Sequence, residues 1–301
     1  MAKTLITSGQ EKQYKRFFDD ARDKALKEAN LGKDGMQKLI EKGDEFQLRI
    51  MIAIKELSVS NQFADEEVES SYGYLSGYDK PCSIENQISI LRSHWPNLNP
   101  DKAICYMREV YSTLQLPDWI EGSFVWIRPG FFSDKHYEEL EEILKAIRKD
   151  RKGKFCNYRE GQFNIDNFRQ YEHATLALCR IVEQQPESDL LIVPAQFGMH
   201  GQSTPHITCS VRRVREKFVV SEFGINSKDT GTMILTNENR LQHYDDLWIN
   251  CAGDEYAPDA GDDFSRAPCF SFGGGKVRFG AGRIDDPDAY YGSVSGFVPQ
   301  S

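Results

Sequence analysis

Residues 190–218 read LLIVPAQFGMHGQSTPHITCSVRRVREKF, and the change of texture along this stretch decides the fold class. Leu190 to Val193 is an unbroken apolar run of the sort that fills a buried strand. A loop of Gly, His, Gln, Ser and Thr follows, and Ser210 then stands where a cap would start a helix carrying Arg212, Arg213 and Arg215. Strand, polar loop and helix in one stretch predict an α+β or α/β architecture.

Working outward toward the C-terminus, Val219 with Val220, Met233 to Leu235 and Leu247 to Ile249 are expected strands between polar loops. Phe270, Phe272, Val277 and Phe279 alternate around Gly273 to Gly275, the pattern of a β-hairpin. Toward the N-terminus, a helix is expected near 165–184, ahead of Pro186, and another after Ser133 with Tyr137, Leu140, Leu144 and Ile147 on one face. Phe124 to Ile127, before Arg128-Pro129-Gly130, reads as a strand and turn, and Ser83 and Asp101 each cap an expected helix. Ser8 and Glu11 form a capping-box pattern ahead of Tyr14, Phe17, Phe18, Ala21 and Ala25, which predicts a helix over about 9–29. Asp34 with Gln37 repeats that pattern, and Asp44 precedes a third helix marked by Phe46, Ile50, Ile54 and Leu57. Helices thus dominate an N-terminal layer up to about residue 150, and a mixed sheet with helices follows from 151 to 301, either as a second region or within one compact body.

The chain has 301 residues, 40% of them hydrophobic and 28% charged, enough to bury a sizeable core and unlike a disordered tail. Its formal net charge of -9 opposes nonspecific attraction of the whole surface to a polyanion. The seven cysteines include no Cys-x-x-Cys pair and no two closer than 18 residues, which argues against a zinc ribbon or a disulfide framework and fits reduced thiols in the cytoplasm. No apolar run approaches the roughly 20 residues that span a bilayer, and MAKTLITSGQEKQYK lacks the apolar segment of a secretory signal.

Three segments carry candidate chemistry. In 196–218, Gln196, His200, Gln202, His206 and Cys209 offer donors, acceptors and imidazoles beyond an expected strand end, and Arg212 and Arg213 could grip a carboxylate or phosphate. The plainer reading has the histidines capping loops and the arginines pairing with the acidic C-terminal region. No P-loop, dinucleotide or nucleophile-elbow spacing is present there. In 243–263, Asp245, Asp246, Asp254 and Glu255 are candidate ligands for a divalent metal, against the alternative of a solvated or arginine-paired surface. Residues 145–154, KAIRKDRKGK, hold six Lys or Arg, so Lys149, Arg151 and Lys152 are candidate nucleic-acid contacts; cations at a helix C-terminus are favoured there in any case. Tyr72, Tyr74 and Tyr78, set among Gly and Ser, form either a binding loop or rings packed on the helical layer.

The wording PAQFG, SVRRVRE, EFG, LQHYDDLW and CAGDEYAPD, with GDEFQ and ELSVSNQFADEEV nearer the N-terminus, resembles a family of bacterial hypothetical proteins to which no activity is assigned. The resemblance implies a bacterial cytosolic origin and brings no catalytic residue with it.

Site residues without a triad, metal spacing or cofactor fingerprint point first to a binding or interaction protein. Its recognition surface would be the 196–218 loop and the acidic segment, and its partner a protein or a small anionic ligand. The alternative is a metal-assisted hydrolase or phosphoryl-transfer enzyme in which His200 or His206 moves a proton. A third reading is nucleic-acid binding through the local basic patch, and no reading involves a membrane.

Overall fold

A computed structural model describes residues 7–43, 46–47, 49–50, 54, 62–199, 206–219, 221–259 and 263–299. The chain divides into two compact units, residues 1–59 and 60–301. In the first, α1 (Ser8–Ala29) and α2 (Lys33–Glu41) are amphipathic and contain no buried residue. The capping box of α1 lies one residue earlier than the sequence pattern suggests: the Thr7 hydroxyl accepts from the Gln10 amide at 3.2 Å, and the Gln10 side chain accepts from the Thr7 amide at 2.9 Å. Gly32, not Asp34, is the N-cap of α2. Asp44 and most of the third expected helix lie outside the described residues.

The second unit is α+β. Its elements run β1 (Glu67–Ser70), α3 (Ile84–His94), α4 (Asp101–Glu109), β2 (Gly122–Ile127), α5 (His136–Asp150), β3 (Phe155–Asn157), β4 (Phe168–Gln170) and α6 (Glu172–Gln184). Then come β5 (Leu190–Gln196), β6 (His206–Cys209), α7 (Val211–Lys217), β7 (Glu222–Gly224), α8 (Ser227–Thr236), β8 (Trp248–Asn250) and β9 (Asp254–Tyr256). The last four strands are β10 (Arg266–Gly273), β11 (Lys276–Arg283), β12 (Tyr291–Ser293) and β13 (Ser295–Phe297). One sheet has the order β2-β5-β13-β7 with every pair antiparallel. Because β5 sits in an antiparallel sheet, the argument from the carboxyl edge of a parallel sheet does not apply to it. A larger sheet follows β12-β8-β10-β11-β3, with β9 joined to β10 and β4 to β9, and β1 pairs with β6 apart from both.

Several expectations hold in place. Ser83 caps α3 and Ser210 caps α7 through their hydroxyls. The β10–β11 hairpin turns at Gly274 and Gly275, whose φ values of 59° and 72° suit glycine on both sides of a two-residue turn. Others are displaced. Asp101 follows the N-cap Pro100 as the first helical residue, and the helix expected from 165 starts only at Glu172, because 168–170 pair with β9 as β4. The strand expected at Val219 and Val220 forms three residues later, at Glu222–Gly224, and Val220 is outside the described residues. No boundary falls at 150–155, since β2 pairs with β5 and β3 with β11 across it.

The largest difference is Met233 to Leu235, which lies inside α8 and not in a strand. A short apolar run has no period to separate helix from strand, and here every residue of the helix is buried, polar ones included. This helix packs on α5, α3 and β2 at the centre of the unit. Most of its polar groups find partners within the helix or on its neighbours, Asp229 Oδ1 being without a hydrogen bond. Thr230, Thr232 and Thr236 donate to carbonyls one turn back, and Asn226 caps the helix by accepting from the Asp229 amide at 2.8 Å. Lys228 Nζ donates to the Ile127 carbonyl and lies 3.4 Å from the Asp229 carboxylate and 3.8 Å from that of Glu139. Glu139 in turn accepts from the amides of Gly130 and Phe132.

Replacing Lys228 with Met is expected to destabilise the protein by about 3–5 kcal/mol, because it strands two buried carboxylates without their cation. The K228M/E139Q double variant should lose less than the sum of the two single changes, a coupling read from urea denaturation of all four proteins. A second expectation concerns Glu222, fully buried in β7, where it accepts from Ser295 Oγ at 2.6 Å and from the Val219 amide at 3.2 Å. Burial pushes its carboxyl up to about 7 despite those two donors. A raised carboxyl stabilises the fold fully below its unfolded value near 4.5, and that contribution is lost as pH rises through about 7. Between about pH 5 and 8 the wild type should therefore lose up to roughly 3 kcal/mol relative to Glu222→Gln, measured as the change in their stability difference.

Candidate functional site at the end of strand β5

β5 is buried along its whole length and ends at Gln196. The Gln196 side chain is fully used: its Nε2 donates to the Ser293 carbonyl at 2.8 Å and to Ser295 Oγ at 2.9 Å, and its Oε1 accepts from the Gly198 amide at 2.6 Å. It ties β5 to β12 and β13 and shapes the bend that follows, so it positions the loop and offers nothing to a ligand. Gly198 has φ 124°, and a Cβ there would lie 3.3 Å from Arg240 Nη2, so glycine meets both a backbone and a spatial requirement.

Around this bend gather Tyr74, Tyr78, Glu121, Phe197 and Arg240. Arg240 is fully buried, with its guanidinium carbon 4.5 Å from the Tyr74 ring centroid and 5.5 Å from that of Phe197. Its Nη2 donates to the carbonyls of Phe197 and Leu247 at 3.2 and 2.8 Å. Tyr74 donates its hydroxyl hydrogen to Glu121 Oε1 at 2.6 Å and accepts from the Met199 amide at 3.0 Å. Burial raises the Glu121 carboxyl above its usual range, opposed by the Tyr74 hydroxyl, the charge of Arg240, the Phe197 backbone and the Tyr78 hydroxyl, and burial likewise holds both tyrosines un-ionised.

Among the buried side-chain polar atoms of the described residues that have no hydrogen-bond partner, two belong to one side chain of this cluster, Arg240 Nε and Nη1. Native proteins leave few such atoms, and each calls for a physical explanation. Arg215 is the internal comparison. It too lies over a tyrosine ring, 4.0 Å from Tyr171, yet each of its nitrogens has an acceptor: Nε the Ala252 carbonyl, Nη1 Glu255 and Nη2 the Asp254 carbonyl.

The acidic segment supports the site instead of forming a metal centre. Asp246 accepts from the amides of Leu75, Ser76, Gln242 and His243 and from the Ser76 hydroxyl, pinning the loop that carries Tyr74 to the segment that follows Arg240. Burial opposes its charge, but those donors and Arg240 outweigh it and hold its carboxyl below the usual range. Asp254 is at the far end of α8, where it accepts from the Ser227 amide and hydroxyl and from His136 Nε2 at 2.9 Å. Glu255 pairs with Arg169 and Arg215. Asp245 and Asp246 are thus separated in role and surroundings from Asp254 and Glu255, and no group of three or more His, Cys, Asp or Glu among the described residues gathers as a metal set.

The other candidates are dispersed. Arg212 holds Glu66 through two nitrogens and lies over Phe63, and Arg213 pairs with Glu67 and Glu216. Glu66 and Glu67 lie upstream of the loop and Glu216 on α7 itself, while Arg215 reaches Glu255 in the acidic C-terminal region. His200 and Gln202 lie outside the described residues; the His206 backbone pairs with Ser70 in β6. In the basic stretch Arg148 pairs with Glu160 and Asp150 with His94; Lys149 and Lys152 are exposed, and Arg151 is largely buried with its pKa lowered by that burial.

Arg240, Glu121 and the His136–Asp254 pair escape a reading of the sequence. Arg240 sits in NENRLQH among polar residues, as a surface arginine would, and apart from the nearby Leu247 carbonyl its partners, Phe197 and Tyr74, are far away in the chain. The one available signal was the tyrosines among Gly and Ser at 72–78. No family model, curated protein or solved structure matches the chain.

Asp246→Asn is expected to destabilise the protein by roughly 2–4 kcal/mol at neutral pH, since an amide cannot accept from all five donors. A depressed carboxyl contributes above its unfolded pKa and loses that contribution as pH falls through the folded value, so the gap between variant and wild type should narrow toward about pH 3 in chemical denaturation.

Proposed function

We propose that the chain is a binding protein for a small anionic or polar ligand, taken at the end of β5, with Arg240 as the recognising cation. The observation that carries this reading is the contrast between two buried arginines. Arg215 has an acceptor on every nitrogen, whereas Arg240, the more deeply buried of the two and likewise seated against an aromatic ring, keeps Nε and Nη1 without one. A buried donor without an acceptor costs about 1–3 kcal/mol, so two on one side chain favour a role outside the fold's own hydrogen bonding. Four separate segments supply the site: 74–78, Glu121, 197–199 and 240–246, the last two adjoining the loop and the acidic stretch that the sequence singles out. Rings on the guanidinium leave its edges as the surface for an acceptor, which suits the plane of a carboxylate or a phosphate oxygen.

The metal-assisted reading has less support, because its four candidate carboxylates divide between two places and three of them, Asp246, Asp254 and Glu255, are already held by amides, hydroxyls or arginines. The nucleic-acid reading rests on Lys149 and Lys152, with Arg148 already paired to Glu160. No helix among the described residues is long and apolar enough to cross a membrane.

The test is thermal unfolding of the purified chain against small carboxylates, phosphates and sulfonates, followed by calorimetry on whatever raises the midpoint. Binding should be weakened at least about 30-fold in Arg240→Gln, as expected when a charged hydrogen-bonding pair worth about 2 kcal/mol is removed. Equal binding by a folded Arg240→Gln would overturn the assignment.

A further inference from the structure

We infer that the half-buried aromatic corner formed by Tyr72, Trp248 and Tyr290, beside the Asp286 carboxylate, is a binding site for a small quaternary ammonium compound. The inference is independent of the reading of Arg240, since it concerns a ligand of the opposite charge and a different set of side chains.

Backbone hydrogen bonds build the corner. β12 runs parallel to β8 with Tyr291 opposite Trp248, and the Trp248 amide donates to the Tyr290 carbonyl at 2.8 Å. The Ser70 hydroxyl donates to the Ala289 carbonyl and accepts from the Tyr72 amide at 3.1 Å, and the Thr208 hydroxyl donates to the Asp288 carbonyl at 2.9 Å. These bonds bring rings from three parts of the chain to one place. The Tyr290 centroid lies 4.7 Å from that of Trp248, with the planes at 51°, and 6.2 Å from that of Tyr72, at 70°. Tyr291, which is buried, meets Tyr290 at 4.9 Å and 86°. Tyr72, Trp248 and Tyr290 are each partly exposed, so the rings reach solvent and a ligand needs no enclosed cavity to meet them.

The surroundings are negative. Burial is the largest cause that raises the Tyr290 and Tyr291 hydroxyls, and the Asp286 and Asp288 carboxylates add to it in both, so both charges are felt at the rings. Asp288 accepts from the Tyr290 hydroxyl, and Asp285 pairs with Arg283 at 2.9 Å. Asp286 is exposed and makes neither a hydrogen bond nor an ion pair with a described residue.

Aromatic faces attract cations, and elsewhere the chain uses its own. The guanidinium carbons of Arg169, Arg212 and Arg215 lie 3.7, 4.2 and 4.0 Å from the ring centroids of Phe264, Phe63 and Tyr171. Among the described residues no cation lies over Tyr72, Trp248, Tyr290 or Tyr291. An aromatic corner beside carboxylates, with no cation of its own, is complementary to one supplied from outside. The ring angles select its kind. A guanidinium stacks flat on a single ring, whereas rings inclined to one another suit a rounded charge. A primary ammonium is strongly hydrated and gives up its water at high cost. A tetra-alkylated nitrogen spreads its charge under apolar methyl groups, which rings can cover.

The test is calorimetry and proton NMR titration of the whole chain with choline and with tetramethylammonium. The uncharged isostere in which carbon replaces the nitrogen of choline, and potassium chloride at the same ionic strength, are run alongside. The expected result is saturable binding of both cations with a dissociation constant of about 1 mM or tighter, and binding of the isostere weaker by at least about tenfold. Tyr72→Leu, which keeps apolar bulk and removes the ring, should weaken choline at least about fivefold, and Asp286→Asn at least about threefold. Equal binding of the isostere would overturn the inference, because the surface would then be indifferent to charge. Absence of saturable binding by either cation up to about 20 mM would overturn it as well. Choline binding unchanged in both variants, each folded, would put the cation elsewhere and overturn the assignment of this corner. The comparison of cation with isostere uses the wild-type chain alone, so a misfolded variant does not shelter the inference.

Discussion

The second unit is organised around a polar helix that has no access to water. All ten residues of α8 are buried, and its first three, Ser227, Lys228 and Asp229, are among the least welcome in an interior. Such a segment is tolerable only where neighbours supply fixed partners, and those partners determine how the unit is assembled. Lys228 reaches the Ile127 carbonyl at the end of β2 and the Glu139 carboxylate on α5. Asp254, entering β9, accepts from the start of α8 and from His136 at the start of α5. One buried cation and one buried carboxylate therefore bring together an edge of the antiparallel sheet, the α5 helix and the larger sheet. Apolar packing fills the space between, with Met233, Ile234 and Leu235 buried and Gly231 leaving room only for the side chains of Ile143 and Phe270 beside it.

The same economy runs through the charged surface. A net charge of -9 and a dense acidic stretch suggest a protein that displays its carboxylates, yet many of them are closed against specific donors. Glu66 and Glu67 lock α7 onto β1 through Arg212 and Arg213, Glu255 holds two arginines, and Asp246 collects amides from two loops. Held in this way, acidic residues act as clasps between segments distant in sequence. That explains why an acidic segment with the composition of a metal site is distributed as structural support for a different site.

How much of this is legible in the sequence depends on whether a residue's partner is near it in the chain. The strand at Leu190, the hairpin around Gly274, the caps at Ser83 and Ser210 and the amphipathic helix after Ser8 are local patterns, and the structure has them within a few residues. α8 fails because a helix buried on every side shows no amphipathic period, and its threonines and apolar run resemble a strand. The site divides along the same line. Gln196 and the 72–78 tyrosines lie where the reading placed interest, but the role of Gln196 is to hold strands together, and Arg240 acquires meaning only through Tyr74, Glu121 and Phe197.

That dependence on distant partners also separates structural charge from functional charge. When a buried ion's hydrogen-bonding capacity is met, as with Arg215, its presence is accounted for by the elements it joins. Arg240 joins elements too, since Nη2 bridges the carbonyls of Phe197 and Leu247, but one nitrogen suffices for that and a shorter or neutral donor would do it without burying a full charge. The cation also stabilises the ionised form of Asp246, which the amides around that carboxylate already favour. Neither task requires the two remaining nitrogens. A side chain whose structural duties use one of its three nitrogens, kept in an aromatic seat, supports the proposed reading of a recognition group held in position before its ligand arrives.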